Sequence, residues 1–308
     1  MAIDSPAPPT RITVIGAGAV GAAVAVRLAL DPRNKVTVAV RTPVERLVVV
    51  ADGARLEVSP AIISDPAQGR LSEWILVATK AYDAATAATW FPALVGASTI
   101  VAVLQNGVEH AERFEGSVPT DRVLPVVVDL PASRTTPGHV VQHRRGRLTV
   151  PLSDSGSAFV ELFAQSGLDV TATADFTTAA WEKLCVNSVG ALTAVTAAAS
   201  LSPDNAATAG LVRALVAETA AVGRAEGARI DAAAEERIVR SLLSAPLGSN
   251  SLADDRRAGR RLEVDARNGA VVRIGQRHGL PTPVNRVIVE LLRSVEPAHR
   301  APRGLLER

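Results

Sequence analysis

The 308-residue chain is short of cysteine: Cys185 stands alone. That excludes an internal disulfide and any metal site built from thiolates, and with no secretory signal pattern at the start a reducing, cytoplasmic setting is expected. A dominant charge sign is lacking too, since Lys+Arg number 33 against 31 Asp+Glu, a formal net charge of +2. The basic residues gather only in "HRRGR" (143–147) and "DDRRAGRRLE" (254–263). Acids interleave with arginines in the second run, so both read as solvated faces and nucleic acid is not an expected partner. No apolar run is long enough to cross a bilayer without a charge, Pro or Gly interrupting it, so no membrane association is expected. The opening "MAIDSPAPPT" (1–10) reads as a disordered leader outside the fold.

What is present is 47% hydrophobic and 21% charged residues, over a length that favours two domains rather than one core. Up to about residue 174, short β-branched runs recur: "RITVIG" (11–16), "KVTVAV" (35–40), "WILVAT" (74–79), "TIVAVLQN" (99–106), "RVLPVVVDL" (122–130), "HVVQH" (139–143) and "RLTVPL" (147–152). The first four are near-continuous apolar stretches separated by helical patterns, which is how parallel strands buried on both faces read. Beyond residue 175 the pattern turns Ala-rich and helical, over 177–199, 205–228, 232–245, 250–279 and 283–297. The expected fold class is α/β: an N-terminal Rossmann-type doubly wound sheet over 11–174, followed by an all-helical C-terminal domain over 175–308.

The chemistry begins in "VIGAGAVGAAVAVRLAL" (14–30), where Gly16, Gly18 and Gly21 form G-x-G-x-x-G between a strand and a helix. Gly16 makes the tight turn, Gly18 presents no side chain to a pyrophosphate, and Gly21 lets the helix lie close on the strand. The backbone of Gly16, Ala17, Gly18, Ala19, Val20 and Gly21 is therefore the expected dinucleotide cradle, with the helix N-terminus facing the phosphates. The next strand ends in "VAVRTP", with Arg41 where NAD-preferring sheets carry an acid. An arginine there suits a 2′-phosphate, so NADP(H) is favoured; an ordinary exposed arginine after a strand is the plainer alternative. Lys80 and Asn106 follow two further strands, in "TKAYD" and "LQNGVEH". Strand carboxyl ends are where open α/β sheets bind ligands, although a snorkelling lysine and an Asn-Gly turn read equally well.

In "WEKLCVNSVGALTAV" (181–195), Lys183 and Asn187 lie four residues apart on an apolar helix and project from the same side. An ammonium held there can stabilise negative charge on a substrate oxygen and then supply a proton. A half-exposed helix with Lys183 on its wet side is the alternative, and Cys185 reads as a small core residue. Further on, Ser251, Asp255 and Glu263 fall in what reads as one helix, with Glu263 within a quarter turn of Asp255. A hydroxyl at 251 can receive a carboxylate and a carboxylate at 263 can hold a hydroxyl, while a surface pairing of Glu263 with Arg260 or Arg261 remains open.

"VIGAGAVG", "TKAYD", "LQNGV", "WEKLCVNS" and "SLADDRRAGRRLEVDARNGAVVRIGQRHGLPTPVN" follow one another from about residue 11 to 290. On these the chain resembles the ketopantoate reductase (2-dehydropantoate 2-reductase) family. The resemblance implies a Rossmann domain and a helical domain with the active site in the cleft between them. It implies NADPH reducing a 2-oxo acid to a 2-hydroxy acid, with ketopantoate giving pantoate for pantothenate and coenzyme A synthesis. By the same resemblance Lys183 is the proton donor and Glu263 the acid near cofactor and substrate. Asn187 and Ser251 are substrate contacts, Lys80 and Asn106 contact cofactor and substrate from the Rossmann side, and Arg41 meets the 2′-phosphate. Two departures stand out: "NSVGALTA" offers Gly190 and Ala191 where many members have a second asparagine, and "AAASLSPDNAA" replaces "PNGE", leaving Ser200 or Asn205 near that slot. A same-fold reductase of another small keto acid or carbonyl compound, and a non-catalytic NADP-sensing module, are the other readings. The Ala-rich "AATAGLVRALVAETAAVGRA" allows a homodimer or an internal core.

Overall fold

The computed structural model describes residues 8–248 and 250–296. Most of the leader expected over 1–10 lies outside the described residues, and the first strand already starts at Thr10. The chain divides into two compact units, Met1–Phe176 and Thr177–Arg308.

The first unit is built on a six-stranded sheet in the order β5-β2-β1-β6-β7-β8, every neighbouring pair parallel. Its strands are β1 (Thr10–Ile15), β2 (Asn34–Ala39), β5 (Ala61–Ile63), β6 (Ser72–Val77), β7 (Val95–Val103) and β8 (Val123–Pro125). Helix α1 (Ala19–Ala29) links β1 to β2, and short helices α2 (Ala84–Ala88) and α3 (Phe91–Leu94) link β6 to β7. The apolar runs are continuous because both faces are covered. On β6, Trp74 and Leu76 join the core that contains α1, while Ile75 and Val77 join a second core with Trp90, Phe91 and Phe114.

A hairpin of β3 (Leu47–Ala51) and β4 (Ala54–Val58) turns at Asp52 and Gly53, both at positive φ, 49° and 77°. It belongs to a second sheet, β10-β11-β3-β4, with β10 (Ala132–Thr136) and β11 (His139–Gln142), and α1 packs against all four strands. The unit closes with a third sheet, β13-β12-β9: β9 (Val127–Asp129), β12 (Arg147–Pro151) and β13 (Asp169–Thr173). Helix α4 (Asp154–Leu162) makes the crossover between β12 and β13, capped where the Gly156 N–H donates to Ser153 Oγ at 3.0 Å.

The second unit holds α5 (Phe176–Thr196), whose first residue falls at the end of the first unit, then α6 (Ala206–Ala225), α7 (Ala232–Leu242), α8 (Ser251–Arg257), α9 (Asn268–Arg277) and α10 (Pro283–Ser294). Small residues let the helices approach: a Cβ on Gly223 would lie 3.0 Å from the Trp181 ring, and one on Gly275 would lie 2.9 Å from Thr282 Cγ2. Helix α6 is long and apolar enough by length and composition to cross a membrane, but it packs against α7, α9 and α10 and carries Glu218 into a polar network. There Glu218 accepts from the Val284 N–H (2.8 Å), the Asn285 N–H (2.9 Å) and Asn285 Nδ2 (2.8 Å). Asn268 Nδ2 in turn donates to Asn285 Oδ1 (2.9 Å) and to the Ser188 carbonyl (3.1 Å), joining α5, α6, α9 and α10 through fully buried amides.

One expectation fails here. The span 250–279 is not one helix: α8 stops at Arg257 and α9 starts at Asn268. The cause is local. Gly259 takes φ +62°, its N–H donates to the Arg256 carbonyl (3.0 Å), and the Arg260 N–H donates to the Asp255 carbonyl (2.9 Å). That is the paired closing pattern of a Schellman cap. Ser251 and Asp255 remain on one short helix, and Glu263 sits in the segment between helices.

Candidate active site

In the first unit, parallel pairing in register brings four loops to one edge. Ala39, Ile15, Val77 and Val103 lie in one row across β2, β1, β6 and β7. Gly16 follows that row by one residue, Arg41 by two, and Lys80 and Asn106 by three each, so four of the expected cofactor contacts share the carboxyl edge. β1, flanked by β2 on one side and β6 on the other, is where the strand order reverses, the place at which such sheets bind dinucleotides.

The three glycines differ in why they are glycine. Gly16 has φ +98°, and a Cβ there would press on Thr79 at 3.0 Å. A Cβ on Gly21 would overlap the Gly16 carbonyl oxygen at 1.8 Å. A Cβ on Gly18 would meet nothing within 4 Å. Helix α1 has no side-chain cap and no acid in its first turn. An open position beside uncapped amides is what a phosphate-bearing group needs, so Gly16, Ala17, Gly18, Ala19, Val20 and Gly21 fit a dinucleotide.

Arg41 is 79% exposed, with Asp83 the nearer acid at 3.7 Å, so its guanidinium reaches into solvent on a loose tether. Lys80 is half-buried at the position just before a short 3-10 turn, and Asn106 is half-buried ahead of Gly107 at φ +99°. Behind them stand residues that no sequence motif singles out. Gln105, 3% exposed, donates through Nε2 to Thr79 Oγ1 (3.0 Å) and the Lys80 carbonyl (3.3 Å), which ties the loop bearing Asn106 to the loop bearing Lys80. Its own carbonyl accepts from His110 Nε2 (3.0 Å). Burial, reinforced by the charge of Arg113, holds His110 down to a pKa of about 4, so the ring is neutral.

In the second unit Lys183 is half-buried on α5 and Asn187 is 8% exposed one turn later. Cys185 is fully buried, and burial pushes its thiol up to about 12, so it acts as a small apolar residue. Ser251 is exposed at the start of α8, held there by Asn250. Asn250 Oδ1 accepts from the Leu252 N–H (3.0 Å), and Nδ2 donates to the Gly190 carbonyl (2.8 Å) and to Thr193 Oγ1 (3.0 Å) on α5. A Cβ at Gly190 would lie 3.3 Å from that Nδ2, so the absence of a side chain at 190 is what lets the Asn250 amide dock on α5. Asn205, expected near the slot left by "AAASLSPDNAA", spends its Oδ1 on the cap of α6, accepting from the Ala207 and Thr208 N–H groups.

Glu263 is 5% exposed, as are Asp255 and Arg267. Asp255 is engaged by Arg260 Nε at 2.8 Å. Arg267 Nη2 donates to Ser251 Oγ at 3.3 Å. Burial pulls the Arg267 guanidinium below its ordinary pKa, opposed by the charges of Glu263 and Asp255. Helix α5, the start of α8 and the segment 260–267 thus carry the expected residues of the helical half, and Arg267 is an addition the sequence reading did not name.

Comparison with known proteins decides the family. The model of the family "Ketopantoate reductase PanE/ApbA" matches residues 12–155, and that of "Ketopantoate reductase PanE/ApbA C terminal" matches residues 175–296. The chain belongs to the ketopantoate reductase family. Within it, a 2-dehydropantoate 2-reductase of Caulobacter vibrioides is 44% identical over 285 residues, 92% of this chain and 98% of the relative. A PanE/ApbA family ketopantoate reductase of Ralstonia eutropha JMP134 superposes with TM-score 0.83 at 30% identity, covering 93% of this chain and 98% of the other. The fold is shared more widely: D-mandelate dehydrogenase, solved with NADH and anilino(oxo)acetate, superposes with TM-score 0.83 at 22% identity over 93% and 98% of the two chains. Like its relatives in the ketopantoate reductase family, the chain is an oxidoreductase.

Proposed function

We propose that this chain is an NADPH-dependent reductase of a 2-oxo acid, converting 2-dehydropantoate to pantoate. The observation that carries the reading is the Asn250 tether, which fixes an exposed hydroxyl, Ser251, to the same helix that bears an amine and an amide, Lys183 and Asn187. A carboxylate, a carbonyl and a flanking hydroxyl are what those three groups would bind. The Caulobacter relative, similar along nearly the whole chain, carries the name of this reaction.

The nicotinamide dinucleotide, when bound, supplies the hydride. The residues from Gly16 to Gly21 bind its pyrophosphate through backbone N–H groups, and Arg41 grips a 2′-phosphate, which selects NADPH over NADH. Lys80 and Asn106 hold cofactor and substrate from the same edge of the sheet. Ser251 and Asn187 hold the substrate by its carboxylate and its oxygen functions. Lys183 donates a hydrogen bond to the 2-oxo group, stabilises the negative charge that develops on that oxygen as C2 accepts hydride, and passes its proton to it. One proton and one hydride thus convert the ketone to the alcohol, and the neutral amine regains its proton from water. Glu263, buried near Arg267, accepts from a substrate hydroxyl.

NADPH oxidation with a panel of 2-oxo acids, followed by nicotinamide absorbance, tests the reading. Turnover is expected with 2-dehydropantoate, and Lys183→Ala should lower kcat by roughly 10²–10⁴-fold with NADPH affinity unchanged. Arg41→Glu should weaken NADPH by about tenfold or more with NADH little affected. Turnover confined to other keto acids would replace the substrate assignment, and equal loss of both dinucleotides would remove Arg41 from the 2′-phosphate.

A further inference from the structure

Arg267 presents a cation that the fold encloses but does not neutralise. The residue is 5% exposed, and two of its three guanidinium nitrogens, Nε and Nη1, are buried with no hydrogen-bond partner. Among the described residues it makes no contact ion pair. The nearby acids do not close on it: Asp255 is engaged by Arg260 at 2.8 Å, and Glu263 acts on it only through its field. Native proteins seldom leave a buried charged donor in this state without a use for it. The third nitrogen, Nη2, donates to Ser251 Oγ at 3.3 Å, and Ser251 itself is exposed.

We infer that Arg267 is a positioning residue for anion recognition: it fixes the Ser251 hydroxyl as an outward donor and adds a buried positive field behind it, so that the site selects substrates bearing a carboxylate. The chemistry follows from the donor inventory. An arginine has only donors, so Ser251 Oγ can only accept from it, and the serine's own proton is left to point outward. A carboxylate placed on that hydroxyl meets the cation's field across one polarised group. The inference rests on the proposed reduction of a 2-oxo acid and specifies how the acid group is told from a neutral one.

The test compares 2-dehydropantoate with its neutral carboxamide in steady-state kinetics. The proteins are the wild type, Arg267→Met, Arg267→Lys, Ser251→Ala and the double variant Arg267→Met with Ser251→Ala. For Arg267→Met, KM for the acid should rise at least about tenfold with kcat and the KM for NADPH little changed, while KM for the carboxamide moves less than about threefold. Arg267→Lys, which keeps the charge, should restore part of the loss. If Arg267→Met does not fold, the Lys variant and Ser251→Ala, at an exposed position, carry the comparison. In the double variant the second substitution should add little, since both residues serve one contact. Equal rises for acid and carboxamide, additive effects of the two substitutions, or a loss confined to kcat would overturn the inference. If the wild type reduces no 2-oxo acid, the functional reading fails and takes this inference with it. Normal wild-type turnover with an unchanged acid KM in Arg267→Met sinks this inference alone.

Discussion

Two glycines three residues apart should respond to alanine in opposite ways. At Gly21 the added Cβ would lie 1.8 Å from the Gly16 carbonyl oxygen, against about 3.3 Å for a relaxed carbon–oxygen contact. That oxygen has nowhere to go, since the Gly16 N–H is bonded to Ala39 at 2.9 Å and Gly16 already sits against Thr79. Helix α1 must lift off the strand instead, and it is the helix around which the larger core of the first unit is packed. Overpacking of this kind costs about 3 kcal/mol, a fall of roughly 6–12 °C in the melting of that unit. Gly18 is different: its φ of −69° suits any residue and a Cβ would meet nothing within 4 Å. Alanine is a poorer N-cap by some tenths of a kcal/mol, but it also restrains the unfolded chain by about as much, so the melting temperature should hardly move. What the methyl group would fill is the space assigned to the pyrophosphate. Thermal melts without dinucleotide, paired with NADPH titrations by nicotinamide fluorescence, separate the two effects. Gly18→Ala should melt like the wild type and bind NADPH at least about tenfold more weakly. If Gly18→Ala bound normally, or melted as low as Gly21→Ala, the division of labour between the two glycines would be wrong.

Two further predictions concern the supports of the site. His110 is neutral in the fold with its pKa lowered from 6.5 to about 4, so between those values the unfolded chain binds a proton that the native state does not. Stability is therefore full above pH 6.5 and falls with pH until about 4, by about 3 kcal/mol in all; urea melts of the wild type and His110→Asn across that range should converge at low pH, and parallel curves would contradict the assignment. Asn285→Ala removes the amide that joins Glu218 to Asn268, which should cost about 3 kcal/mol. A urea midpoint unchanged by that substitution would mean the network holds nothing together.

The four central strands β2, β1, β6 and β7 were legible because they are buried on both sides, so each apolar run announced itself without alternation; the short edge strand β5 is partly exposed and gave no such run, and the run 122–130 divides into β8 and β9, which join different sheets. The β3–β4 hairpin was not among the expected strands although its signal is present: the Asp52-Gly53 pair between "LVVVA" and "ARLEV" is a type I′ turn sequence, and both central residues take positive φ. Strand β13, "DVTAT", escaped for a different reason, having too few apolar residues to stand out and owing its place to pairing with β12. The caps were equally readable in principle. "SNS" places Asn250 before α8, and "AG" at 258–259 ends it, yet hydrophobic periodicity ran across both and merged two helices into one.

That merger matters for the site because it replaced a set of helix ends with a helix face. On one continuous helix, Ser251, Asp255 and Glu263 would be arranged by rotation alone, and Arg267 would be one more arginine in a charged stretch. The Schellman turn at Gly259 folds the chain back instead, so that Arg260 returns to Asp255 and Arg267 comes to lie behind Ser251. Whether a charge is neutralised depends on which acid each arginine reaches, and Arg257 takes Asp254 at 2.6 Å and Arg260 takes Asp255 ahead of Arg267, while Arg256 turns to the Ala194 and Val195 carbonyls. The residue type at 267 was in plain sight, but its isolation is a property of the pairings around it, and those exist only once the helix has been broken in the right place.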